Sequence, residues 1–122
     1  MSVKLPEIDP ARLDAEWQAD KQILEQLAAN GDKARTPRPV DVSFRGTEED
    51  FARVMEVASQ FGFVELDREV DEDGDLYLFL ECESAVDEQS IRDLTRKCLQ
   101  IELLFGVEYD GWGCEAQTGA VH

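Results

Sequence analysis

"FVELDREVDEDGDLYLFLECE", residues 63–83, decides the fold. Two extended stretches, "FVELDREV" and "LYLFLECE", flank the turn "DEDGD". Asp73-Gly74 between them is a strong hairpin signal, and it predicts a type I′ turn, whose central residues both need positive φ. Strand alternation puts Leu76, Leu78, Leu80 and Cys82 on one face. Tyr77, Phe79, Glu81 and Glu83 share the other, which is aromatic and then acidic and is expected to be partly open. The acidic turn superficially suggests a calcium loop. An EF-hand needs Gly at its sixth position and a bidentate Glu at its twelfth. Setting Gly74 sixth makes Leu80 twelfth, with Glu81 one place late, so the stretch reads as an acidic hairpin.

Each hairpin strand neighbours a helix. Upstream, Thr47 is a good N-cap, Asp50 sits where a capping-box acid would, and Glu48 and Glu49 suit the positive end of the helix dipole. Phe51, Val54, Met55, Ala58 and Phe61 follow at helical spacing, and Gly62 stops the run. Before it, "VDVSF" alternates Val40, Val42 and Phe44 at the strand period. Downstream, Ser84 or Asp87 caps a helix whose buried side carries Ile91, Leu94, Cys98, Ile101 and Leu104 or Phe105. Gly106 ends it, and "VEYDGWGCEA", residues 107–116, follows as the last strand. Two βαβ halves joined by a hairpin predict an α+β, ferredoxin-like βαββαβ sandwich. Right-handed crossovers place a four-stranded antiparallel sheet under two helices.

An extra helix precedes this unit. Leu13, Trp17, Ile23, Leu24, Leu27 and Ala28 have helical spacing, and Asn30-Gly31 ends them. Asp14, Glu16, Asp20, Lys21 and Glu25 form its polar faces, and docking through Trp17 and Leu24 is expected. "DKARTPRP" is a linker, broken by Pro37 and Pro39, and the most basic stretch of the chain.

The last strand poses a parity problem. Regular alternation would align Val107, Tyr109, Gly111, Gly113 and Glu115, a face poorly matched for packing. A β-bulge at Asp110-Gly111 inserts one residue and needs the left-handed conformation that Gly supplies. Val107, Tyr109, Trp112, Cys114 and Ala116 then point inward, with Glu108 and Glu115 outward. Two readings stay open. In one, the rings finish the core. In the other, a twisted edge with partly exposed Tyr109 and Trp112 forms a docking site, since such rings concentrate interface energy.

The 122 residues suit a single domain, 1–122, with residues 1–11 and 117–122 as loose termini. Asp plus Glu number 28 against 12 Lys plus Arg, a net charge of −16. Such a surface repels nucleic acid and anionic membranes and attracts a basic protein segment. Lys33, Arg35, Arg38 and Arg45 are too few for a nucleic-acid groove and are expected to balance neighbouring carboxylates. Tyr77 and Phe79 lie beside Glu81 and Glu83, which argues against stacking of RNA bases.

Cys82, Cys98 and Cys114 are too widely spaced for a C-x-x-C motif and read as buried free thiols. "MSVKLPEIDP" lacks the apolar region of a signal peptide and no run is long enough to span a membrane, so a cytoplasmic protein is expected. His122 is the single histidine, which leaves no histidine triad or His-containing metal site. No P-loop or dinucleotide fingerprint is present, and no cofactor or enzymatic activity is expected.

"EYDGWGCEA", preceded by "IRDLTRKCLQIELLFGV", resembles the C-terminal signature of the regulator of ribonuclease E activity B (RraB) family. "ADKQILEQLAANGDKARTPRPVDVSF" is similar to that family's opening helix, glycine stop, proline linker and first strand, and "FGFVELD" to its second strand. The resemblance runs from about Leu13 to Ala116. It implies a ferredoxin-like fold and a small acidic protein that binds ribonuclease E and restrains RNA decay without being an enzyme. Many members carry a long acidic tail after the motif, whereas this sequence stops at "QTGAVH".

The first expectation is therefore an interaction protein, monomer or weak dimer, whose partner is ribonuclease E or another basic protein segment. Its contact residues would be Tyr109, Asp110 and Trp112, with Glu81 and Glu83 as steering charges. The second is a small-molecule-sensing regulatory module with an apolar pocket rimmed by Tyr77, Phe79 and Trp112.

Overall fold

The first helix of the computed structural model, which describes residues 5–117, is α1, Pro10–Ala29. Asp9 caps it by accepting the Ala11 amide at 2.9 Å, and Pro10 fits the first turn, where no amide is needed. The helix thus begins inside the stretch read as a loose leader, because the Asp9-Pro10 pair is itself a start signal. Residues 1–4 and 118–122, the rest of the expected loose termini, lie outside the described residues.

The remaining elements are β1 (Arg38–Gly46), α2 (Glu48–Val57) with a 3-10 turn at Ala58–Phe61, β2 (Val64–Val70), β3 (Leu76–Ser84), α3 (Glu88–Phe105) and β4 (Glu108–Cys114). Thr47 caps α2 by accepting the Asp50 amide at 3.1 Å, and Asp87 caps α3. The sheet order is β2-β3-β1-β4, with every neighbouring pair antiparallel. That is the interleaved order of the ferredoxin-like α+β fold expected from two βαβ halves.

The β2–β3 connection is wider than a type I′ turn. Only Gly74 has a positive φ, +85°, and its amide donates to the Asp71 carbonyl at 3.1 Å, while the Asp71 amide donates to Asp75 at 3.0 Å. A three-residue loop closed by a left-handed glycine satisfies the backbone without forcing Asp73 to positive φ. Asp71, Asp73 and Asp75 bring carboxylate oxygens within 4.8 Å of one another there. The Asp71 carboxylate has a local task, accepting the Asp73 and Asp75 amides at 2.9 Å each.

The core lies on one face of the sheet. Val40, Val42 and Phe44 of β1 and Leu78 and Leu80 of β3 meet Phe51 and Val54 of α2 and Ile91, Cys98, Leu99 and Ile101 of α3, all fully buried. In β4, Val42 pairs with Trp112, Ser43 with Gly111 and Phe44 with Tyr109, so Asp110 is an extra residue and Gly111 sits at φ +110°. The bulge falls where parity demanded it, and Tyr109 and Trp112 turn to the same side. A second bulge was not expected: Glu65 pairs with Leu80 and Asp67 with Phe79, leaving Leu66 unpaired. It swings Arg68 to the helix side, where its guanidinium covers the Phe51 ring at 5.8 Å and binds Glu48 and Glu65. Val64, Asp67 and Glu69 consequently share the open face with Phe79 and Tyr77.

Candidate functional site

The sequence left two roles open for Tyr109 and Trp112, and the structure buries both. Tyr109 is 4% and Trp112 7% exposed, so the expected partly exposed edge rings are corrected. The cause is α1, which packs on α3 and closes over β4. Trp112 Nε1–H donates to Asp20 Oδ1 at 2.9 Å, and the Thr95 hydroxyl donates to Asp20 Oδ2 at 2.6 Å. Asp20, read as part of the polar face, is 3% exposed. Its burial raises the carboxyl above the usual range, and the two donors only partly offset this. Tyr109 packs against Phe44 with the ring centroids 5.6 Å apart and tilted, and its buried hydroxyl has no hydrogen-bond partner among the described residues. Trp17 of α1 lies under the Arg92 guanidinium at 3.9 Å, and Leu24 packs on the core, so both expected docking residues are used. Glu102 ties the arrangement together, accepting from Arg12 at 3.1 Å and from the Tyr109 amide at 2.9 Å.

Two of the cations expected to balance neighbouring carboxylates, Arg38 and Arg45, do so. Arg38 is buried and pairs with Asp32, their side chains 1% and 2% exposed. Arg38 also donates to the carbonyls of Lys33 at 2.7 Å, Thr36 at 3.1 Å and Glu115 at 3.3 Å. Burial pushes the Asp32 carboxyl up, but Arg38 and the Gln117 amide outweigh it and hold it low. The pair fastens the linker to the chain after β4. Arg45 on the sheet is tied to Glu108 and Asp75.

What remains as a surface is the face of the sheet opposite the core. Opposed residues of antiparallel strands share a face, so the pairings define its rows. One row is Val64, Glu81, Asp41 and Gly113, the next Asp67, Phe79, Ser43 and Gly111, and the third Glu69, Tyr77, Arg45 and Glu108. Glu83 extends the acidic end beside Pro39. Tyr77 and Phe79 are half-buried among these carboxylates. Glu69, Val70, Asp71, Tyr77, Phe79 and Asp110 line a groove of about 640 Å³. Burial, with the charges of Asp71 and Asp110 close by, raises the Tyr77 phenol above its ordinary value.

Of the five residues singled out from sequence, the structure brings Asp110, Glu81 and Glu83 to this face and sends Tyr109 and Trp112 to the other. The apolar pocket expected to combine Tyr77 and Phe79 with Trp112 does not form, since the sheet separates them. Glu69 and Asp71 were not singled out, because a two-residue turn would pair Val70 with Tyr77, whereas the wider loop pairs Glu69 with it.

The thiols offer little nucleophilic character. Burial raises all three, Cys98 most of all, which keeps them protonated near neutral pH. No described helix is long and apolar enough to cross a membrane. No curated protein matches the chain. The model of the family described as regulator of ribonuclease activity B, RraB, matches residues 17–114, from the ring that anchors α1 to the last residue of β4. The chain therefore belongs to the RraB family of regulators of ribonuclease activity.

Proposed function

We propose that this protein restrains RNA decay by binding a ribonuclease of the E type through a protein surface, without catalysing a reaction itself. The observation that carries this reading is the open sheet face, which sets two half-buried rings in a frame of carboxylates on a chain of a regulator family. Adjacent rings rimmed by polar groups on an open face are the pattern of a contact site. The net charge of −16 favours rapid encounter with a basic segment and disfavours RNA itself. Acting in the cytoplasm as a monomer or weak dimer fits this role.

The test is capture of the cognate ribonuclease E at low ionic strength, with RNA cleavage measured in parallel. Binding that slows cleavage and weakens as salt rises supports the reading, because exposed charges are screened within about 10 Å at 0.1 M salt. Absence of binding at low salt removes it.

A further inference from the structure

We propose that the groove between the β2–β3 turn and the β4 bulge receives an arginine side chain from an extended basic segment of the partner, a statement that rests on the binding reading above. The groove has a floor and two walls. Its floor is Tyr77 and Phe79 of β3. Glu69 and Asp71 stand on one side and Asp110 on the other. Between them the row Phe79, Ser43, Gly111 runs down to small residues, which opens a trough across β1 toward β4.

The position of Asp110 is the informative feature. It is the inserted residue of the bulge, with no cross-strand partner of its own. Gly111, at φ +110°, permits that insertion. The bulge that packing requires also leaves the Asp110 carboxylate free of the β1 ladder, at the rim of the groove that Tyr77 and Phe79 floor. The "YDGW" motif thus has two products: it turns Tyr109 and Trp112 into the core, and it sets Asp110 over the open face.

Aromatic floor and acidic walls together select the cation. A guanidinium is planar, stacks on a ring face, and still presents its N–H groups in plane to carboxylates. A lysine ammonium is a compact, strongly hydrated point charge and cannot do both. Arg45 faces the same side, but its guanidinium is engaged by Glu108 and Asp75 and by none of the wall carboxylates, of which Asp71 has one oxygen taken by backbone amides. The net charge of −16 disfavours both a second copy of this chain and a nucleic acid as occupant. A volume of about 640 Å³ exceeds one guanidinium, leaving space for the flanking backbone of an extended segment.

The test uses the full chain, ¹⁵N-labelled, titrated with a ten-residue Gly/Ser peptide carrying spaced arginines, with its lysine counterpart, and with a short single-stranded RNA. The arginine peptide is expected to shift resonances of Tyr77, Phe79, Asp110 and Gly111 and to bind about fivefold to tenfold tighter than the lysine peptide. Equal affinity for the two peptides, no binding, shifts centred on the helices, or RNA occupying the groove would each overturn the proposal. Tyr77→Leu and Asp110→Asn, checked for unchanged melting, should each remove most of the preference for arginine. Asp110 is exposed, so its variant is not expected to disturb folding. The same variants are then used to capture the ribonuclease. Undiminished capture overturns the assignment of this groove and leaves the regulator reading standing. Arginine-peptide binding by a chain that captures no ribonuclease supports the groove and removes the ribonuclease reading.

Discussion

Replacing Asp20 probes how α1 is held, and the structure fixes the sign of the effect. The Asp20 carboxylate accepts from Trp112 and Thr95, both almost fully buried. Asp20→Ala strands those donors, and a buried donor without an acceptor costs about 1–3 kcal/mol. Relief from burying a charge offsets part of this, which leaves a net loss of about 2–4 kcal/mol. For a chain of this size that is a fall in melting temperature of roughly 8–16 °C. Asp20→Asn keeps an oxygen for Trp112 and turns an amide toward Thr95, so its loss should be about 1 kcal/mol or less at neutral pH. The pair also yields a pH test. Burial raises the folded-state pKa of Asp20 above its unfolded value. The stability this group contributes is therefore complete below the unfolded pKa and is lost as pH rises through the folded one. Chemical denaturation of wild type and Asp20→Asn between about pH 3 and pH 8 isolates the term, because every other group is common to both. The advantage of wild type should shrink as pH rises. An advantage that grows with pH would mean that the ionised carboxylate is favoured, and the reasoning would fail.

Other consequences are as direct. Arg38→Ala leaves Asp32 buried without its cation and should cost about 3–5 kcal/mol, measured by urea denaturation. Gly111→Val forces a β-branched residue to φ +110° and should cost about 1–3 kcal/mol, with loss of the paired amide pattern of β4 in exchange experiments. Cys98 should stay unreactive toward a thiol reagent at neutral pH until the protein unfolds, with Cys82 and Cys114 slow, since burial raises all three thiols.

The bulge within residues 107–116 was legible because strand alternation is strict and glycine marks where it can be broken. The Leu66 bulge runs against the local pattern: regular alternation in "VELDREV" would put Val64, Leu66 and Val70 on one face and Glu65, Asp67 and Glu69 on the other, whereas the shifted register brings Arg68 to Phe51 and Glu48. Tyr109 and Trp112 could be given a side but not a cover. Whether an inward ring at a sheet edge is buried depends on where the first helix docks. Asp20, placed by its spacing on a polar face, meets Thr95 and Trp112, 75 and 92 residues away in sequence, and no local pattern encodes that meeting. The open face was visible in the alternation of β3, since Tyr77, Phe79, Glu81 and Glu83 share a side. Its groove was not, because Asp110 reaches it from two strands away in the sheet.

The most direct measurement compares two charge-reversed proteins for capture of the ribonuclease. Glu81→Lys with Glu83→Lys alters the open face, whereas Glu25→Lys with Glu56→Lys alters the helices and shifts the net charge equally. Long-range attraction is then matched, and only the place differs. The open-face pair is expected to bind at least about tenfold more weakly than the helix pair at 0.1 M salt, where distant charges are largely screened. Equal losses, or a greater loss in the helix pair, would show that the uncovered side of the sheet is not where the partner sits.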